Sequence, residues 1–73
     1  MRLRAYLTSL TRSELDELMN ECNLTEEEED VFKCLAKGKS NVATADVCKC
    51  SVATISNRIN HILFKVKKVT NNK

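Results

Sequence analysis

Four hydroxyl residues, Thr11, Thr25, Ser40 and Ser51, each stand just ahead of a stretch that reads as a helix, and they confine this chain to a short series of helices. A side-chain oxygen in that position accepts a hydrogen bond from one of the first backbone N–H groups, which have no partner inside the helix. Thr11-Arg12-Ser13-Glu14 and Thr25-Glu26-Glu27-Glu28 add a glutamate three positions on that can return the bond, the capping-box spacing. Behind Thr11, the residues Leu15, Leu18, Met19 and Cys22 fall at i, i+3, i+4 and i+7, one apolar stripe of a helix. Asn23 is suited to end it in the left-handed conformation that asparagine tolerates.

Behind Thr25, the acids Glu26 to Asp30 crowd the first turn, where the helix dipole favours negative charge. The run reads as a helix starter and a solvated face, with Val31, Phe32 and Leu35 on the buried side and Gly38 as the stop. Ser40 opens a third helix, about Asn41 to Cys48, and Lys49-Cys50 is a tight connection to Ser51. The last helix is expected from Val52 to about Lys68. Its apolar positions Ile55, Ile59, Ile62, Val66 and Val69 form a narrow seam, widened by Val52 and Leu63. No segment alternates as a strand does, so the expected fold is all-α: four helices in one domain over residues 1–73, with an N-terminal helix at 11–23 and a core at 24–69.

A chain of 73 residues has room for one core and little for an enclosed active site, so a function displayed on the surface is expected. It has no proline and one glycine, which argues against linkers and disorder. No apolar run is long enough to span a membrane, and the N-terminus lacks the apolar block of a signal peptide, so the expected compartment is the cytoplasm. There Cys22, Cys34, Cys48 and Cys50 are expected to stay reduced. Charge is divided along the chain. Residues 1–36 carry nine acids against four bases, and residues 37–73 carry one acid, Asp46, against eight bases. A basic half suits an anionic partner.

Two short helices joined by a tight turn, Val42 to Asn60, have the proportions of a helix-turn-helix. Ala45 and Ile55, ten residues apart, supply the small residue for close contact and the aliphatic one that locks the second helix. At 100° per residue, Ala53, Asn57, Asn60 and Phe64 lie opposite the apolar seam, with Ser56 beside them. A merely solvated face normally carries Lys and Glu; this one is bare of charge. A helix entering the major groove needs small side chains near its start, and asparagine offers the paired donor and acceptor that match the edge of adenine. Charge then belongs on the flanks, against phosphate: Arg58 and His61 beside Thr54, with Lys39, Lys49 and Lys65 nearby.

Leu24-Thr25-Glu26-Glu27-Glu28-Glu29-Asp30-Val31, then Ala36-Lys37-Gly38-Lys39-Ser40-Asn41, then Ser51 with Thr54-Ile55-Ser56-Asn57-Arg58-Ile59, resembles the LuxR/GerE-type DNA-binding domain. It is also similar to sigma factor region four, and the whole chain to small helix-turn-helix regulators of phages and mobile elements in Firmicutes. The resemblance implies a double-stranded DNA partner and a role in transcription, with Ser56, Asn57 and Asn60 at base edges. Thr54 and Ser51 would meet the DNA backbone, where Lys39, Ser40, Lys49, Arg58, His61 and Lys65 are expected as well from the reading of the flanks. Thr44 and Cys48 stand where the family has larger aliphatics, which predicts looser packing of the third helix. Only Thr70 to Lys73 follow the last helix, so the expected homodimer would form without the family's further C-terminal helix.

No triad or glycine-rich phosphate loop is present, so an enzyme is not expected, nor is a cofactor. Cys48-Lys49-Cys50 with Cys22 and Cys34 lacks the paired spacing of a zinc site, and the cysteines read as small buried hydrophobes. Tyr6 and Phe64 are left over. Either the N-terminal segment folds back over Phe64, or Phe64 builds a dimer interface, or it is a lone exposed aromatic. The rival function is a protein-interaction module that docks on RNA polymerase or a sigma factor without reading DNA, which the acidic first half favours.

Overall fold

The computed structural model describes residues 2–71; Met1 and the end of the tail, Asn72 and Lys73, lie outside them. Among the described residues five helices run in order, α1 (Leu3–Thr8), α2 (Arg12–Cys22), α3 (Glu26–Ala36), α4 (Asn41–Cys48) and α5 (Val52–Asn71), and there is no strand. The all-α expectation holds, but there is one helix more than the four expected. α1 has no side-chain cap, and its six residues are too few to be stable alone. What holds it is burial of Leu3 and Leu7 against the core that α3 supplies.

The expected helix starts are formed as hydrogen bonds. Thr11 with Glu14, and Thr25 with Glu28, make complete capping boxes, and Ser40 Oγ and Ser51 Oγ accept from the N–H groups of Ala43 and Thr54. Asn23 ends α2 at φ 52°, as its side chain allows. Gly38, at φ 80°, ends α3 with Lys39 N–H bonded to the Cys34 carbonyl. α4 ends in the same way without a glycine: Lys49 takes φ 55° and Cys50 N–H reaches the Ala45 carbonyl at 3.0 Å.

α5 packs against α2, α3 and α4, while α1 and α4 both pack on α3. At ~1.5 Å per residue the 20-residue α5 is about 30 Å long and spans the 34 Å length of the molecule. Ile55, Ile62 and Val66 of its seam are fully buried with Phe32, Leu35 and Val31 of α3, and Ile59, Leu63 and Val69 pack at the margin. Val52 does not widen the seam; it is exposed at the start of α5, one turn before the core begins. Ala45 and Ile55 both lie in the core. Thr44 is fully buried too, its hydroxyl donating to the Ser40 carbonyl at 2.8 Å, so the polar group that replaces an aliphatic is satisfied one turn back.

Candidate nucleic-acid interface

α4, the turn at Lys49 and the first half of α5 form the helix-turn-helix, and one side of it is built from the residues expected at DNA. Ser56, Asn57 and Asn60 are exposed on α5 beside exposed Ala53, with His61 one position further on. Phe64 continues the same side at 70% exposure. The N-terminal segment therefore does not cover it; α1 lies against α3 instead. Lys49 is exposed at the turn itself, and Ser40 and Ser51 are exposed at the starts of α4 and α5.

The flanking residues are already occupied to different degrees. Ser51 and Thr54 share a hydroxyl–hydroxyl bond of 2.9 Å, so both hold the start of α5. Lys39 is half-buried, and its carbonyl accepts from Arg4 Nε at 2.8 Å. Arg4 also donates to Asn41 Oδ1, so α1 pins the first turn of α4 from below. Arg58 reaches across to α3, Nη2 to Glu27 Oε2 at 3.1 Å. Lys65 Nζ lies 2.7 Å from Glu28 Oε1. Glu27 and Glu28 line one groove with Thr54, Asn57, Arg58, His61, Phe64 and Lys65.

Glu28 corrects the reading of the acidic run as a solvated face, because its side chain is 10% exposed. The capping box at Thr25-x-x-Glu28 was legible, but the same carboxylate also meets a lysine 37 positions away. Burial alone would raise the Glu28 carboxyl, but the bond from Lys65, the Thr25 N–H and the charge of Lys65 outweigh it and hold the group below its ordinary 4.5. The unfolded chain then binds this proton more readily than the fold does. Stability from Glu28 is complete above the ordinary carboxylate range and is lost as pH falls through the lowered value. Thermal unfolding from pH 7 to 3 is expected to show a shallower acid loss in Glu28→Gln than in the unaltered chain.

Lys49 stands where glycine would be best. A left-handed side-chain residue costs about 1 kcal/mol relative to glycine. Lys49→Gly is expected to raise stability by about that amount in urea unfolding. An unchanged urea midpoint would mean that the turn holds lysine in this conformation without a cost.

All four cysteines are free thiols, with Cys22 and Cys34 buried. Burial, with Glu21 beside it, pushes the Cys22 thiol up, and burial likewise raises Cys48, so both stay protonated. No group of three His, Cys, Asp or Glu side chains among the described residues is arranged to hold a metal ion. No described helix is long and apolar enough to cross a membrane.

Residues 22–72 match the family described as GerE: Bacterial regulatory proteins, luxR family. The matched segment takes in α3, α4 and α5, and leaves α1 and nearly all of α2 outside. No curated protein and no solved structure matches the chain significantly. With the match covering more than two-thirds of its residues, and the helix-turn-helix formed within it, the chain belongs to the luxR family of bacterial regulatory proteins, a family of DNA-binding transcription regulators and not of enzymes.

Proposed function

We propose that this chain reads double-stranded DNA by sequence, with residues 24–69 as the binding core and the first half of α5 in the major groove. The observation that carries this is the exposed, uncharged face of Ala53, Ser56, Asn57 and Asn60 on α5. Small and amide side chains let the helix backbone approach base edges, where asparagine pairs with adenine. Ser56, Asn57 and Asn60 contact bases. Lys39, Lys49, Arg58 and His61 contact phosphate through their side chains, and Ser40, Ser51 and Thr54 through helix starts whose N–H groups favour an anion. Lys65 contributes least, since Glu28 already matches its charge.

One copy makes few phosphate contacts, so two copies on half-sites about one helical turn, ~34 Å, apart supply the affinity. Work on DNA places the protein in the cytoplasm. Selection from a random duplex pool, followed by anisotropy titration at low and moderate salt, tests the reading. An enriched motif with paired half-sites and salt-sensitive binding is the expected result; absence of binding at low salt would sink it. The second reading, docking on RNA polymerase or a sigma factor without reading DNA, draws on exposed Asp16 and Glu17 of α2. In that case Asn57→Ala and Asn60→Ala would leave activity unchanged.

A further inference from the structure

We infer that Glu27 limits how tightly this chain holds DNA, by competing with phosphate for Arg58; this rests on the reading of Arg58 as a phosphate contact. The two side chains meet at 3.1 Å across the groove between the start of α3 and α5. Their positions are unequal. The Glu27 side chain is 73% exposed and stands at the rim, whereas Arg58 is 27% exposed and lies along the groove. Glu28, next along α3, is engaged by Lys65 at 2.7 Å and is not available to Arg58. Thr54, Asn57 and His61 line the same groove, so the carboxylate of Glu27 sits at the edge of the surface proposed to meet DNA.

Two effects follow from that placement. The guanidinium is directed toward α3, and a phosphate must displace Glu27 to engage it. Once displaced, Glu27 is an unpaired negative charge beside the DNA backbone. An exposed ion pair is weak, so the exchange is permitted. The repulsion that remains is a water-screened Coulomb effect at short range, a few-fold in affinity and not orders of magnitude. Glu27 contributes little to the fold, being solvent-facing on the first turn of α3 and outside the Thr25–Glu28 capping box. Its charge can therefore be removed without disturbing the helix start.

The test is fluorescence anisotropy with a random-sequence duplex at low salt, on the full chain and on Glu27→Gln, Arg58→Ala and the double variant. Far-UV circular dichroism confirms equal helix content. Glu27→Gln is expected to bind about three- to fivefold more tightly, with the gain fading as salt rises. Arg58→Ala is expected to bind less tightly, and removing the Glu27 charge in that background should gain clearly less. An equal gain in both backgrounds would overturn the inference, because Glu27 would then repel DNA without acting through Arg58. No gain from Glu27→Gln would overturn it too, while a weaker Arg58→Ala would leave the DNA reading standing. Absence of binding by all four chains would overturn the DNA reading itself.

Discussion

Leu7→Ala is expected to lower the stability of this chain by about 2–5 kcal/mol, the range for emptying a fully buried leucine site. Leu7 has no exposed surface, and it belongs to the core that α3 and α5 form. A domain this size has a total stability of about 4–11 kcal/mol, so the loss removes a large share of it. Urea unfolding should show a lower midpoint with an unchanged slope. Thr8→Ala, at an exposed position of the same helix, should stay within about 0.5 kcal/mol. DNA binding should fall with Leu7→Ala as well, because Arg4 on the same helix holds the Lys39 carbonyl and Asn41 at the start of α4. Equal midpoints for Leu7→Ala and the unaltered chain would mean that α1 is not part of the cooperative unit.

Asn57→Ala and Asn60→Ala are expected each to cost about 1–3 kcal/mol on the preferred DNA sequence, roughly 5- to 150-fold in affinity. Both side chains are exposed, so their removal leaves the fold intact. Binding to unrelated duplex should hardly change, since phosphate contacts supply that part. Competition titrations with the selected site and with single-base variants separate the two terms. A fall in affinity on every sequence alike would reassign these residues to the DNA backbone.

α1 is the case where a sequence signal existed without a boundary marker. Leu3, Tyr6, Leu7 and Leu10 follow the helical spacing i, i+3, i+4 and i+7, and all four lie in or against the core. Yet Arg2 at the N-cap position makes no side-chain bond, and a six-residue helix has no stability of its own. Its existence depends on the surface that α3 offers. Lys49 is a similar case. A lysine does not announce a left-handed residue, and the tight α4–α5 turn imposes the conformation.

The sequence by itself determined the helix starts at Thr11, Thr25, Ser40 and Ser51, the left-handed stop at Asn23, the seam from Ile55 to Val66 and the uncharged face of Asn57 and Asn60. Each of these is settled within one or two turns, by bonds from i to i+3 and by the period of the helix, so neighbouring residues suffice to read it. Only the tertiary structure decided that Arg58 meets Glu27, that Lys65 meets Glu28, and that Arg4 secures Asn41. Those contacts depend on which faces of α1, α3, α4 and α5 come together. An acidic run beside a capping box looks the same in sequence whether its carboxylates face water or a lysine 37 residues away.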